Sequence, residues 1–290
     1  MTGGEDKKSH GYTIIEVMIF LAISGFMFIL AIAFVSGKQA KSEFKQGTND
    51  INQQVQTVIN DVSNGFYPSN SNFSCSAGAS GPPTFTNIAT EQGQNGGHSS
   101  FGQGGCIFLG KVIQFSPQGS GGVGYNIFSV AGRQYMDGSN IVSTNLQQAA
   151  PTAIAAPKSP ISLTENKTLE WGLSVTKTFY DGNNINCSPS QNLGSIAFFG
   201  SFGQYAGTDL QSGAQSVMVA CVPGSSLNNS GTQTVNDITN ITDTDVVSNS
   251  QFVICFAGGQ NQRASLTIGS TNGQQLTTRL EAGGGVDSRC

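Results

Sequence analysis

The apolar positions of this chain change their spacing along its length, and each change predicts a different element. Residues 14–35 read IIEVMIFLAISGFMFILAIAFV, a continuous apolar run whose sole ionisable side chain is Glu16. A helix over that run rises about 33 Å, enough to cross a hydrocarbon core of ~30 Å. It is longer than the apolar region of a secretory signal peptide, and no Ala-x-Ala-like cut site follows it, so it predicts a membrane helix. Residues 38–62 are polar except at Phe44, Ile51, Val55, Val58, Ile59 and Val62, spacings that fit a helical period and no strand. The expectation is one rod over 12–62, about 77 Å long. Residues 12–37 form its membrane-spanning half, and 38–63 an amphipathic continuation laid against a head. A separate amphipathic helix after a break at Gly37 or Gly47 is the alternative. Asn64-Gly65 and Pro68 end the pattern.

Beyond Pro68 the chain turns to short β-branched and aromatic runs separated by Gly, Asn, Ser and Pro. Candidate strands are 106–115, 124–130, 169–179, 195–199, 216–222, 251–256 and 264–268. Phe252, Ile254 and Phe256 alternate, as do Ala264, Leu266 and Ile268, and Gly258-Gly259-Gln260-Asn261 between them reads as a hairpin loop. Asp181-Gly182 reads as a second turn. The fold class that results is α+β, with the second half of a long N-terminal helix packed on an antiparallel sheet in a head over 64–290. Trp171, inside a candidate strand, is expected in the core. Residues 69–105, rich in Ser, Gly, Asn and Gln, and 147–160, rich in Ala and Pro, are expected as long surface loops.

Composition narrows the function classes. Charged residues are only 10% of 290, against roughly 25% in soluble proteins, and Gly numbers 38. The net charge of −4 provides no basic field for nucleic acid, and removing Glu5, Asp6, Lys7 and Lys8 with a leader leaves it unchanged. His10 and His98 are the only histidines, a thin supply of bases and metal ligands. There is no Gly-x-Ser-x-Gly elbow, no His-Glu-x-x-His and no P-loop, so no catalytic set is expected and no cofactor. Asp237, Asp243 and Asp245 match no EF-hand spacing and are read as a solvated loop.

A carboxylate in an apolar helix calls for a positive partner or a route to the headgroups. Gly11-Tyr12-Thr13-Ile14-Ile15-Glu16, behind a short Lys-containing leader and ahead of the apolar run, resembles the prepilin signal of type IV pilins and pseudopilins. The resemblance implies a leader over 1–11, peptidase cleavage between Gly11 and Tyr12, N-methylation of Tyr12, and Glu16 as the assembly carboxylate. The new ammonium at Tyr12 of an incoming subunit would then pair with Glu16 of a neighbour in an apolar filament core. Tyr12 stands where Phe is usual, Ile14 where Leu is frequent, and the run lacks the Pro found in many pilins. Lys38, Lys41 and Lys45 after the helix outnumber Lys7 and Lys8 before it, and a simple charge count would place the head in the cytoplasm. The cysteines and the resemblance place it outside.

All six cysteines follow the apolar run: Cys75, Cys106, Cys187, Cys221, Cys255 and Cys290. None forms a CxxC pair, so disulfides in an oxidising compartment are expected rather than a metal site. Sequence does not choose among the connectivities; sequential pairing, Cys75–Cys106, Cys187–Cys221 and Cys255–Cys290, is the arrangement expected here. The leading functional expectation is a structural subunit, not an enzyme. It is a single-pass membrane protein with an extracytoplasmic C-terminal domain, at the cell surface or in a pilus after assembly. Its implied partners are other pilin subunits, the prepilin peptidase, an inner-membrane assembly platform, and membrane lipid before assembly. The alternatives are a minor pseudopilin of a type II secretion pseudopilus, or a minor pilin that takes up DNA through Arg263, Arg279 and Arg289.

Overall fold

The computed structural model describes residues 12–65, 73–77, 81–87, 105–134, 142–181, 192–200, 217–246, 251–269 and 276–290. Two compact units divide the chain, Met1–Glu43 and Phe44–Cys290. Helix α1, Ile14–Ser63, contributes to both without interruption at Gly37 or Gly47. It stops where Gly65 takes φ +64 and its N–H donates to the Val62 carbonyl, a left-handed exit that glycine makes at no steric cost.

In the first unit, Ile14–Ile32 has a mean hydropathy of 2.5 and none of it is buried against the protein. It is long and apolar enough to cross a membrane.

In the second unit the stripe read from the sequence is the buried face of α1: Phe44, Ile51, Val55, Val58, Ile59 and Val62 are all enclosed. Two antiparallel sheets supply the rest of that core. The larger is built from β3 (Cys106–Phe115), β4 (Gly124–Arg133), β5 (Thr152–Ala153), β6 (Thr164–Thr168), β8 (Ser195–Gly200) and β9 (Val217–Cys221). Its order is β5-β4-β3-β8-β9, with β6 paired to β4 further along the edge that β5 shares. The smaller has the order β12-β11-β10-β7, from β7 (Ser174–Asp181), β10 (Gln251–Ala257), β11 (Arg263–Gly269) and β12 (Thr277–Ala282). Ile113, Phe115, Ile127 and Phe198 of the larger sheet join Phe252, Ile254, Phe256, Leu266 and Ile268 of the smaller in one cluster with the α1 stripe. Each such side chain removed from water contributes on the order of 2 kcal/mol.

The larger sheet is covered on its other face as well. Leu109, Val112, Val130, Ala197 and Phe199 pack there with a single-turn helix, α2 (Leu146–Ala149), and with α3 (Gly231–Ile238). A bulge between Phe108 and Gly110 keeps Leu109 on the same face as Val112. Gly110 is required there, since a Cβ would lie 1.9 Å from the Phe198 carbonyl oxygen.

Several sequence expectations are revised. The strand expected over 169–179 begins only at Ser174, because Glu170–Leu173 is a turn. Trp171 sits on that turn, 46% exposed, rather than in the core. The stretch 147–160 is a surface loop only in part: 156–158 are exposed, but 151–155 are buried. Ala149, Ala153, Ile154 and Ala155 are buried, and the small alanines let the chain lie close against the sheet. Within 69–105, β1 (Phe73–Ser76) and β2 (Thr84–Asn87) pair as a hairpin that buries Phe73, Cys75 and Phe85 against Ala131, Ile154 and Leu163. The turn expected at Asp181-Gly182 runs into residues outside the described ones, whereas Gly258–Asn261 does connect β10 to β11.

Candidate assembly and processing site

The first turn of α1 places the residues on which function is expected to rest. Thr13 precedes the helix, its Oγ1 accepts from the Glu16 backbone N–H at 3.3 Å, and its carbonyl accepts from Val17 at 3.2 Å. Thr13-x-x-Glu16 has the spacing of a capping box, a local signal that the reading of Glu16 as an isolated membrane carboxylate passed over. Glu16 also adds negative charge at the positive end of the helix. Its side chain is exposed, beside Tyr12 and Ile14, each 81% exposed, and Ile15. Gly11 lies outside the described residues. The site is thus an apolar cylinder with one carboxylate near its end, a surface that water does not suit and that lipid or other helices do.

The second unit is tied down by bonds the sequence leaves undetermined. Disulfides join Cys75 to Cys106, and Cys255 to Cys290. Cys221 is disulfide-bonded as well, and Cys187 lies outside the described residues. The first bridge pins the β1–β2 hairpin to the start of β3. The second lays the C-terminus against Phe179, Val253 and Cys255 on the outer face of the smaller sheet.

The three arginines considered for phosphate contacts are each engaged within the protein. Arg263 donates to the Cys290 carbonyl at 3.2 Å, and Arg279 pairs with Glu281 at 2.5 Å. Arg289 pairs with Asp181 at 3.1 Å and Asp287 at 2.8 Å, with its guanidinium 4.3 Å from the Phe179 ring centre. Hydrogen bonding from Arg289 holds the Asp287 carboxyl down to about 2, and the same bonds push the guanidinium up.

The acidic trio is not a solvated loop. Asp245 is 1% exposed, and its carboxylate accepts from the Thr242 N–H at 2.7 Å and the Thr242 hydroxyl at 2.9 Å. Asp243 accepts from the Leu146 N–H at 3.0 Å, capping α2. Burial raises the Asp237 carboxyl, one oxygen of which has no hydrogen-bond partner. These carboxylates serve separate turns, and among the described residues no group of three or more His, Cys, Asp or Glu is placed to hold a metal ion. His98 lies outside the described residues.

Comparison with known families places the prokaryotic N-terminal methylation motif, the signal of type IV prepilins, over residues 6–33. That span includes the Gly11–Tyr12 junction, Thr13, Glu16 and most of the apolar run. No curated protein and no solved structure matches the chain.

Proposed function

From the type IV prepilin signal over residues 6–33, which supports a pilin-like or pseudopilin-type subunit, we propose a structural subunit of a type IV pilus-type filament. A prepilin peptidase and other pilin subunits are the partners this signal implies. The chain waits in the membrane through the helix that begins at Ile14, with its disulfide-bonded domain on the extracytoplasmic side. Cleavage between Gly11 and Tyr12 frees an ammonium at Tyr12, which is then methylated. Glu16 supplies the opposite charge: placed in an apolar helix bundle, neither group is stable alone, whereas a Tyr12 ammonium seated on a neighbour's Glu16 satisfies both. The observation that carries this reading is the coincidence of the methylation motif with an exposed apolar helix bearing a carboxylate in its first turn.

Mass analysis of the membrane protein produced with its own peptidase tests the processing. A mature terminus at methylated Tyr12, with a Gly11→Ala form left uncut, is the expected result; an intact Met1 terminus in both overturns it. Glu16→Leu is expected to be processed normally, yet to be absent from sheared filaments.

A further inference from the structure

Trp171 is the only tryptophan of the protein, and the fold holds it in the open. It occupies the first central position of the turn Glu170–Leu173, which is closed by the Leu173 N–H donating to the Glu170 carbonyl at 3.2 Å. Trp171 has φ +62 and Gly172 φ +68. Two successive positive φ values are the pattern of a type I′ turn, where Asn, Asp or Gly is at ease and a bulky aromatic is not. Strain of this kind collects at binding sites.

The turn borders a cleft of about 450 Å³ between α1 and β6. Gly47 lines that cleft, and the Cβ it lacks would lie 3.0 Å from the Glu170 carbonyl oxygen and 3.5 Å from Trp171 Cδ1, which puts the indole at the cleft's edge. Asp50, Gln53 and Asn166 also line it, and their side chains make no hydrogen bond among the described residues. Tyr125 reaches it from β4. Burial, and then Glu165, Asp50 and Glu170, push that phenol up to about 12, so it remains an O–H donor. Lys167, the cation of the lining, is already engaged by Gln54 at 2.9 Å and Glu165 at 3.1 Å. The cleft therefore offers amides, carboxylates and a phenol with no uncommitted positive charge. Trp171 adjoins that lining at Gly47 and Glu170, at the border of the cleft. Anions are disfavoured; hydroxyl groups that both donate and accept, carried on a ring with an apolar C–H face, suit it.

We propose that this cleft binds a neutral oligosaccharide, with Trp171 stacked on a pyranose face and Asp50, Gln53 and Asn166 hydrogen-bonding its hydroxyls. The proposal does not rest on the filament reading and is tested on the unassembled full chain, in a detergent without a sugar headgroup. Because Trp171 is the sole tryptophan, its emission reports on this cleft directly. Maltotriose, cellotriose, chitotriose and mannotriose are titrated in turn, and a saturable change with at least one of them is expected. Gln53→Ala and Asn166→Ala should each weaken it by about fivefold or more, with the circular dichroism unchanged. Trp171→Asn suits the turn, so its Tm should equal or exceed that of the parent, while saturation-transfer NMR of the same sugar is lost. Three outcomes overturn the proposal: no response to any of the four sugars up to their solubility, alanine variants that titrate like the parent, or a Trp171→Asn form with a sharply lower Tm. Emission that follows protein concentration and not sugar assigns the face to a second copy of the chain, and overturns it too.

Discussion

Lys111 lies in the middle of a strand of apolar residues, 3% exposed, and its ammonium meets Asp61 of α1 at 2.6 Å, with Glu165 at 3.9 Å. Removing one partner of such a pair leaves the other charge poorly solvated, and this costs more than the intact pair contributes. Lys111→Ala is therefore expected to lower stability by about 3 kcal/mol in urea unfolding followed by Trp171 emission, while Lys111→Met combined with Asp61→Leu recovers most of the loss. Nothing near Lys111 in the sequence announces Asp61, fifty positions away. Thr13 and Glu16 are legible by contrast, because three residues of helix bring them together. At the C-terminus the Asp287 carboxyl, held at about 2 chiefly by its hydrogen bond from Arg289, sits below the unfolded value near 4. A depressed carboxylate stabilises the fold above its unfolded pKa, and that contribution fades as pH falls from about 4 towards 2. Asp287→Asn should flatten that acid limb of a Tm-against-pH profile; an unchanged limb would show that the pair contributes nothing.

At the scale of elements, α1 meets two environments under one hydrogen-bonding pattern. Its later part presents an apolar stripe to two sheets and a polar edge to Lys111, Lys167 and Thr278 through Asp61, Gln54 and Gln56. Its earlier part is apolar on every side. Ile51→Ala should cost about 3 kcal/mol of unfolding free energy, since the site is 2% exposed. Phe26→Ala, at a position 63% exposed, should leave that unfolding midpoint unmoved. The stripe was legible because its period records a single partner surface. Strands β3, β8, β10 and β11 were legible for a similar reason: continuous or alternating β-branched and aromatic residues bounded by turns. Strand β6 (TENKT) was not, because it is a charged edge strand defined by pairing with β4. Helix α3, two turns capped by Ser230, is too short for a period to show.

For the whole molecule, a Gly-rich chain with little charge is held by a two-sided sheet, a second sheet, and disulfides that close distant segments. The Cys255–Cys290 bridge spans 35 residues. Cys255→Ser with Cys290→Ser should lower stability by about 3–4 kcal/mol, read as the shift in thermal unfolding under oxidising conditions. In reducing buffer, where the parent loses the same constraint, the difference between the two should largely vanish. The bridge also holds the tail whose Arg289 lies over Phe179, so the variant should titrate in acid without the contribution of Asp287.

What the sequence by itself determined are the features that a single element carries within its own span. These are the apolar run with Glu16 and its Thr13 cap, the helical stripe from Phe44 to Val62, the Gly65 exit and the alternation of the β10–β11 hairpin. Each is written in neighbouring residues because helix and strand geometry repeats over three or four positions at most. Only the tertiary structure decided that residues 151–155 are buried, that Lys111 finds Asp61, that Cys75 meets Cys106, and that Trp171 stands exposed beside a polar cleft. Those outcomes depend on which remote surfaces come to face one another, and burial is a property of the assembled pair rather than of either segment.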